Sequence, residues 1–355
     1  MCSDLEKIAE RVRSFMRRSI GEENLDEEFN ALALELFAAQ KRQNNAYSRL
    51  CDQCFNFPVA IWTEIPAAPT FAFKELELTS LEPSERAEVF FSSGTTQRDR
   101  SRHFHSPKSL DLYEESLWLW FEKQFTQKLS GVRCLFLTPP RDKAPNSSLV
   151  HMFDTIANRV GGVAEFSGTV GSDGSWTLDF PKALNFLAAS ESSRTPVAIL
   201  GTAFLFVHFL DSLASDARQI QLPPGSWVLE TGGYKGRSRE VPKEELHRLI
   251  VDRLGVARAE IFGEYGMSEL SSQAYAGADG LFRFPPWARA QIISPATRRA
   301  VREGEPGLIR VVDLANVWSV MAVQTEDIGI KQGDAVRLVG RAGQAEARGC
   351  SLMAA

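Results

Sequence analysis

Residues 4–56 alternate charged residues with apolar residues at helical spacing. The apolar positions include Phe29, Leu32, Leu34, Leu36, Phe37, Tyr47 and Leu50. This period places side chains on one face of a helix, so the segment predicts two or more amphipathic helices. A strongly apolar stretch at 111–129 predicts a further helix that packs in a core, capped by Ser109 or a close neighbour.

Three short apolar runs follow, and the segments between them have a helical pattern. The runs cover residues 132–137, 196–201 and 226–230, and each ends in small or turn-forming residues. The intervals predict helices over 182–189, 204–214 and 243–254. Such alternation is typical of an α/β fold with a parallel sheet, in which ligands bind beyond the carboxyl ends of the strands.

From residue 281 the pattern changes to short runs separated by Gly, Pro and Asp. The runs at 290–293, 308–312 and 335–339 predict a small antiparallel β subdomain. The predicted organisation is therefore an α/β core with N-terminal helices over 1–280, a small β subdomain over 281–340, and a short C-terminal tail over 341–355 that bears Cys350.

Charge and cysteine content restrict the classes of partner. The net charge of −5 argues against nucleic acid or an anionic membrane as the main partner, so any basic patch is local. Five cysteines follow no disulfide framework and the N-terminus is polar, so we expect a reduced, cytoplasmic protein. Apolar runs fall short of the roughly 20 residues that span a bilayer, so no integral membrane segment is expected.

Small hydroxylated residues follow the apolar pair at 90–91. Gly94 lets the backbone approach an anion, while the neighbouring hydroxyl and N–H groups donate hydrogen bonds. Arginines at 98, 100 and 102 supply counter-charge. This composition is typical of phosphate binding, although it departs from the G-x-x-x-x-G-K-[ST] pattern and an ordinary turn on a basic surface stays open.

Four further segments carry candidate chemistry. They read TGGYKGRSRE from residue 231, EYGMSE from 264, TEDIG from 325 and GRAGQAEARGCSL from 340. EYGMSE places a carboxylate among hydroxyl and glycine residues after a strand, and TEDIG places an acidic pair at the end of an apolar run. Taken separately, the first is compatible with a surface turn and the second with a hairpin.

Together and in this order, FFSSGTT and these four segments resemble the adenylate-forming (ANL) superfamily, most closely the bacterial luminescence acyl-protein synthetases of LuxE type. The resemblance runs from about residue 29 to 352. It implies the large domain of adenylate-forming enzymes, with parallel α/β sheets plus a small β subdomain, and a C-terminal lid domain missing or reduced to a short tail. It also implies an enzyme that uses ATP and Mg²⁺ to convert a carboxylic, chiefly fatty, acid to an acyl adenylate.

The resemblance also implies a role for each matching residue. Tyr265 would stack on adenine, Asp327 would bind the ribose hydroxyls with Arg341 nearby, and Glu269 would ligate Mg²⁺. The residues implied for the phosphates and the rest of ATP are Ser92, Ser93, Gly94, Thr95, Thr96, Arg98, Gly232, Gly233, Gly266, Met267 and Ser268. Those implied for the acyl group are Gly201, Thr202, Ala203 and Phe204.

Two departures from the superfamily pattern matter. The phosphate loop lacks the usual Gly and Lys, so an arginine would supply the charge, and which one does so stays open. The chain also stops soon after Cys350, where most members continue into a domain with a catalytic lysine. In the LuxE-type branch a cysteine in this setting accepts the acyl group as a thioester, so Cys350 is the predicted acceptor, with a stray cysteine as the alternative.

The sequence leaves alternatives open for the acyl-binding site and for the acceptor of the acyl group. The phenylalanine-rich stretch at 204–210 would line an acyl tunnel or simply form a core helix. His103 is a candidate phosphate contact, and His208 is more typical of a packed histidine than of a base. Rival functions are an acyl- or aryl-CoA or carrier-protein ligase and a non-catalytic nucleotide-binding protein. The resemblance implies an acyl-reductase or acyl-carrier partner protein.

Overall fold

The computed structural model describes residues 4–22, 24–54, 58–92, 100–232 and 241–342. The helices of the described chain are α1 Asp4–Ser19, α2 Asp26–Gln43, α3 Asn45–Cys54, α4 Ala72–Glu75, α5 Pro107–Leu129, α6 Ser148–Val160, α7 Phe180–Ser193, α8 Ala203–Ser215 and α9 Lys243–Leu254. The strands are β1 Ala68–Pro69, β2 Glu88–Phe91, β3 Arg102–His105, β4 Arg133–Phe136, β5 Ala164–Phe166, β6 Gly168–Val170, β7 Trp176–Leu178, β8 Val197–Thr202, β9 Trp227–Thr231, β10 Ile261–Tyr265, β11 Ala274–Ala276, β12 Leu281–Arg283, β13 Ala288–Ile293, β14 Pro306–Asp313, β15 Ala322–Gln332 and β16 Ala335–Arg341.

The chain divides into two compact units. The first contains Met1–Trp120, Met267–Ala274 and Leu281–Ala355, and the second contains Phe121–Gly266 and Tyr275–Gly280. The chain therefore passes from the second unit to the first inside the EYGMSE segment. The boundaries at 280 and 340 that the sequence predicts stay predictions.

The second unit is built on a parallel sheet in which β5, β4, β8, β9 and β10 are neighbours in that order. The three apolar runs of the sequence form β4, β8 and β9, so the predicted parallel α/β arrangement is confirmed. Helices α7, α8 and α9 cover one face, where apolar side chains of α8 and α9 bury those of the strands. This burial of apolar area is the main stabilising term for the unit.

The first unit contains an antiparallel sheet of β13, β14, β15, β16 and β12, with β1 added in parallel against β15. The predicted runs after residue 281 form β13, β14 and β16, so the antiparallel prediction is confirmed. Helices α1 and α2 pack their apolar faces into a core shared with Trp287 and the residues after β14. Strands β2 and β3 form a separate hairpin.

The structure refines the predicted cap of helix α5. Helix α5 begins at Pro107, and its cap is Ser106, a close neighbour of the predicted Ser109. The Ser106 backbone N–H donates to Ser109 Oγ at 2.8 Å, and the Ser109 N–H donates to Ser106 Oγ at 3.2 Å. This reciprocal pair satisfies amide groups that the first turn of a helix leaves without acceptors.

The TEDIG segment lies inside β15, which pairs antiparallel with the next strand, β16, so the segment belongs to a strand of a β-hairpin and not to its turn. Gly329 of this strand has no room for a side chain, because an added Cβ would lie 2.8 Å from both Ile309 Cγ1 and Val336 Cγ1. The pairing with β16 shifts register between Ile328 and Gly329. Such a bulge redirects side chains without ending the strand.

Within the described residues no helix is both long enough and apolar enough to cross a membrane.

Candidate active site

The turn after β10, residues 268–272, is buried rather than exposed on the surface. Ser268 is 6% exposed and Glu269 is 4% exposed, so the surface-turn alternative is wrong. Ser268 Oγ donates to Glu269 Oε2 at 3.0 Å. A hydroxyl and a carboxylate are thus held side by side, which is the pairing that the sequence predicts for α-phosphate and metal binding.

His103 of β3 fixes the start of this turn. Its ring is 3% exposed, and burial lowers the pKa of His103 to about 4, so the imidazole is neutral near pH 7. Nδ1 lies 2.7 Å from the Ser268 carbonyl oxygen, which can only accept, so Nδ1 carries the proton and donates. His103 therefore binds the turn, and a phosphate contact through this nitrogen is not required to explain its position.

Asp313, the last residue of β14, holds the far end of the turn. Its Oδ2 accepts from the Ser271 N–H at 2.9 Å, and its Oδ1 accepts from Ser272 Oγ at 2.8 Å and the Ala315 N–H at 3.0 Å. Burial raises the pKa of Asp313 to about 6, and these donors work in the opposite direction. The carboxyl group is fully buried but well supplied with hydrogen bonds.

Ser92, the first residue of the predicted phosphate loop, extends the β2–β3 hairpin by one pair. Its backbone N–H donates to the Ser101 carbonyl at 3.1 Å, and its Oγ accepts from the Ser101 N–H at 2.8 Å. The hairpin thus anchors the residue from which the loop departs.

Asp327 and Arg341 lie opposite each other on β15 and β16. Arg341 Nε is 3.9 Å from Asp327 Oδ1, and Arg341 Nη2 is 3.1 Å from Glu326 Oε2. The Asp327 side chain is 21% exposed and that of Arg341 is 53% exposed. The two predicted nucleotide-binding residues are therefore neighbours within the first unit, as the resemblance implies, with Glu326 as an additional partner of the arginine.

In the second unit, Gly232 directly follows β9 and has φ +69°, a left-handed conformation that favours glycine. Tyr265 is the last residue of β10 and is 8% exposed, and Gly266 follows it at an exposed position. Strands β9 and β10 are parallel neighbours, and Thr231 pairs with Glu264. Gly232 and Tyr265 therefore both lie at the carboxyl edge of the sheet, where ligands bind in such folds.

Two buried glutamates flank this edge. Glu230 is 5% exposed, and its Oε1 lies 2.8 Å from Lys243 Nζ and 3.4 Å from His247 Nε2 on α9. Burial opposes ionisation of Glu230, but the hydrogen bond from His247 and the charge of Lys243 outweigh it, so the pKa of Glu230 is lowered. Glu230 therefore carries a negative charge inside the unit.

Glu264 lies next to this charge. Its Oε2 accepts a hydrogen bond from the Thr231 hydroxyl, and the residue is 7% exposed. Burial, and to a smaller extent the charge of Glu230, raise the pKa of Glu264 to about 7, while the Thr231 hydroxyl opposes the shift. Glu264, which directly precedes Tyr265 in the chain, is thus partly protonated at neutral pH.

The predicted acyl-binding residues lie where β8 gives way to α8. Thr202 caps the helix, since its Oγ1 accepts from the Leu205 N–H at 3.2 Å. Gly201 and Ala203 are buried, while Phe204 is half-buried with its ring 4.6 Å from that of His208. Leu205, Phe206, Val207, Phe209 and Leu210 are buried in the core, as the core-helix alternative expects.

Several predicted residues lie outside the described residues. They are Ser93, Gly94, Thr95, Thr96, Arg98, Gly233 and Cys350. Their roles, and the convergence of all the segments on one nucleotide, stay predictions.

The sequence matches one protein family, described as acyl-protein synthetase, LuxE, over residues 7–355. The chain belongs to the LuxE acyl-protein synthetase family. The LuxE-type resemblance of the five sequence segments is thereby confirmed.

Two curated relatives of this LuxE-family chain carry the same name, long-chain-fatty-acid–luciferin-component ligase. The chain is 24% identical to the protein of Aliivibrio fischeri over 341 residues, covering 90% of this chain and 86% of the relative. It is 22% identical to the protein of Vibrio harveyi over 325 residues, covering 87% and 82%.

A solved structure also resembles the LuxE-family chain in fold. An open conformation of 2-hydroxyisobutyryl-CoA ligase, in complex with 2-HIB-AMP and CoA, superposes with a TM-score of 0.62 at 12% identity. The match covers 88% of this chain and 74% of the other, and it confirms the adenylate-forming fold. The chain spans about half the length of several other solved chains that it matches.

The carboxylate of Glu269 is a suitable ligand for Mg²⁺, but the other ligands of the ion would have to come from other groups. A carboxylate oxygen is the ligand that this ion prefers, and sites of this kind use one or two carboxylates together with substrate phosphates. Among the described residues no three His, Cys, Asp or Glu side chains cluster as a metal site. A cation at Glu269 would therefore need oxygen ligands from the nucleotide.

Sequence reasoning missed the side chains that surround the predicted ones. They are Glu230, His247, Glu264, Asp313 and Asn316. A signal exists for three of them, because a carboxylate within or at the end of an apolar run, as in VLET, FGEY and VVDL, is unusual in a buried strand. For His247 and Asn316 the sequence offers no comparable signal.

Proposed function

We propose that this protein uses ATP to convert a carboxylic acid to an acyl adenylate and then transfers the acyl group to a protein cysteine as a thioester. The buried turn that pairs Ser268 with Glu269 carries the proposal, because it presents a hydroxyl donor and a carboxylate in a chain of the acyl-protein synthetase family. The names of the two curated relatives support a long-chain fatty acid as the substrate class.

In the first step an oxygen of the acid attacks the α-phosphorus of ATP, and pyrophosphate leaves. The acid is already ionised at neutral pH, so no general base is needed. The chain has to supply hydrogen-bond donors and positioned charge for the phosphates. Ser268 and the hydroxyl-rich segment from Ser92 to Thr96 are the donors that we assign to this role, with one of the arginines that follow.

The Ser268–Glu269 pair has a direct consequence for binding. A hydroxyl has a single proton, and that of Ser268 is donated to Glu269 Oε2 at 3.0 Å. When Ser268 donates to the α-phosphate instead, Glu269 Oε2 loses this hydrogen bond, and both of its lone pairs are open to a cation. Mg²⁺ bound there would neutralise charge on the phosphates. Phosphate binding and metal binding at the turn are therefore expected to be cooperative.

The remaining contacts are assigned to the nucleoside. Asp327 offers two carboxylate oxygens to the ribose hydroxyls, and the positive charge of Arg341 lies 3.9 Å from this carboxylate. Gly232 and Tyr265 are the proposed adenine contacts, the first by close backbone approach and the second by stacking. Gly201, Thr202, Ala203 and Phe204 are the proposed contacts of the acyl group.

In the second step we assign the acceptor thiol to Cys350. The thiolate attacks the carbonyl carbon of the acyl adenylate, a C–S bond forms, and AMP leaves. An acyl-reductase or acyl-carrier protein would then receive the acyl group. Arg348 lies two residues away in sequence and favours the thiolate by its charge.

Pyrophosphate–ATP exchange over a panel of fatty and aryl acids tests the first step. We expect acid-dependent exchange with the highest rate for a long-chain fatty acid. Intact-mass spectrometry after incubation with ATP, Mg²⁺ and that acid tests the second step, and we expect one acyl adduct that is lost in Cys350→Ser.

Cys54→Ser is the matched control, and it should keep the adduct. An adduct that persists in Cys350→Ser would refute the assignment of the acceptor. Full turnover of Cys350→Ser with a soluble thiol such as coenzyme A would favour the CoA-ligase alternative, and nucleotide binding without any exchange would favour a non-catalytic protein.

A further inference from the structure

Residues 313–316, which begin with the last residue of β14, support the turn that carries Glu269. The support is separate from the proposed ligand contacts, because it acts on backbone groups of the turn and on the hydroxyls of Ser271 and Ser272, not on the side chains of Ser268 and Glu269. Asp313 accepts from the Ser271 N–H, and Asn316 Nδ2 donates to the Glu269 carbonyl oxygen at 2.8 Å. Asn316 Oδ1 accepts from Ser271 Oγ at 2.5 Å. We call residues 313–316 the support segment.

The support segment is itself anchored at several points. Asn316 Nδ2 also donates to the Val320 carbonyl at 3.1 Å, and the Asp313 N–H donates to the Met321 carbonyl at 2.8 Å. Gln40 of α2 donates to the Asn316 carbonyl at 2.7 Å and accepts from the Met321 N–H at 3.1 Å. All these residues are buried. Buried hydrogen bonds therefore connect the support segment to α2.

Because Asp313 and Asn316 are buried, each of their hydrogen bonds has to be satisfied within the protein. Asp313 is 0% exposed and Asn316 is 1% exposed, so water cannot replace a lost partner. A buried polar group without a hydrogen-bond partner costs about 1–3 kcal/mol of stability. This cost favours the backbone arrangement of the turn in which every one of these groups has a partner. In this arrangement the carboxylate of Glu269 is presented next to Ser268 Oγ.

We propose that Asp313 and Asn316 are positioning residues, which fix the backbone of residues 268–272 and thereby set the affinity of Glu269 for Mg²⁺–ATP. The inference rests on the proposed function, because it assumes that Glu269 binds the cation. Residues that orient a ligand of a metal ion change its affinity by about 10- to 100-fold when they are replaced.

Two variants test the proposal, one by a mild change and one by a severe change to the hydrogen bonds of the turn. Ser271→Ala removes the hydroxyl that donates to Asn316 but keeps the backbone bond to Asp313. Asn316→Asp keeps the shape of the side chain but turns a donor into an acceptor that faces two carbonyl oxygens. Tyr47→Phe is the matched control, because it removes a buried hydrogen bond of 2.6 Å, to the Pro66 carbonyl, that does not support the turn.

The measurements are the Kd of Mg²⁺–ATP by calorimetry, the Mg²⁺ concentration at half-maximal exchange, and the KM and kcat of exchange. We expect Asn316→Asp to weaken Mg²⁺–ATP binding by at least about tenfold and Ser271→Ala by a smaller factor. Binding of ATP in EDTA should change little, and Tyr47→Phe should leave the Mg²⁺ dependence unchanged.

Variants that lose activity only in proportion to the loss of folded protein, with the Mg²⁺ dependence of wild type, would refute the proposal. If Asn316→Asp does not fold, Ser271→Ala decides the question alone. A wild-type protein that binds Mg²⁺–ATP but shows no acid-dependent exchange would refute the proposed function, while the calorimetric comparison would still test the positioning role.

Discussion

Asp313 in the first unit and Glu264 in the second are two buried carboxyl groups in different electrostatic surroundings. Asp313 accepts three hydrogen bonds and its pKa is raised by burial to about 6. Glu264 accepts from the Thr231 hydroxyl, lies near the charge of Glu230, and its pKa is raised by burial to about 7. Hydrogen-bond donors thus offset the cost of burial at Asp313, while a neighbouring carboxylate increases it at Glu264.

The comparison indicates different roles for the two acids. The oxygens of Asp313 are committed to Ser271, Ser272 and Ala315, so its replacement should disrupt the structure of the turn. The carboxyl group of Glu264 is held in a state close to its titration point, so its replacement should mainly change how the protein responds to pH. The following predictions test this distinction, beginning with the largest effect.

Replacing Asp313 should have the largest effect on stability. Asp313→Leu leaves two backbone N–H groups, those of Ser271 and Ala315, buried without their acceptor. Each such group costs about 1–3 kcal/mol, so we expect a loss of about 4 kcal/mol in the free energy of unfolding. Urea denaturation followed by circular dichroism measures it.

Asp26→Asn is the control in the same unit, because the Asp26 side chain is 87% exposed and forms an ion pair with Arg289 at 2.8 Å. An exposed pair contributes about 1 kcal/mol at most. Equal losses in the two variants would mean that the hydrogen bonds of Asp313 do not stabilise the fold.

Replacing Glu264 should change the pH dependence of stability. The folded state holds the Glu264 proton more tightly than the unfolded state, whose pKa is 4.5. Between pH 4.5 and 7 the folded state therefore binds more protons, and the stabilisation that is complete below pH 4.5 is lost as the pH rises through about 7. Glu264→Gln removes this dependence.

We expect Glu264→Gln to be more stable than wild type by about 2 kcal/mol at pH 8 and to lose this advantage at pH 5. Among the described residues, Thr231 contacts Glu264, and Lys243 and His247 contact its neighbour Glu230; all three are unchanged in the variant. Urea midpoints over this pH range measure the effect. Glu244→Gln, at a side chain that is 85% exposed, is the control, and parallel profiles for wild type and Glu264→Gln would contradict the prediction.

Much of the fold, but little of the network around the site, follows from the sequence. Contiguous apolar runs predicted β4, β8 and β9, and the pattern at 243–254 gave the bounds of α9 as the structure has them. Buried parallel strands leave this signal because both faces of the sheet are covered. Ser268 and Glu269 were found because they belong to a short contiguous motif.

Asp313 and Asn316 were missed because their partners are distant in the chain. Ser271 lies 42 residues before Asp313 and 45 residues before Asn316. Local periodicity does not report such pairs, and the side-chain pattern of β14 only shows that its last residue is an acid. The register of the surrounding sheet, which brings these residues together, is set by tertiary packing.

Removing the hydroxyl of Thr231 should have the smallest effect and the most specific one. Thr231→Val keeps the shape of the side chain but removes the hydrogen bond to Glu264, which is the contribution that lowers the pKa of this acid. The pKa of Glu264 should therefore rise above its wild-type value, while the free energy of unfolding at pH 5 should fall by only about 0.5 kcal/mol. Carboxyl-carbon NMR titration of protein labelled at glutamate measures the pKa, with Thr231→Ser as the variant that retains the hydroxyl. If Thr231→Val titrates at the wild-type pH, burial and Glu230 alone determine the state of Glu264, and the contrast with the hydrogen-bonded Asp313 becomes sharper.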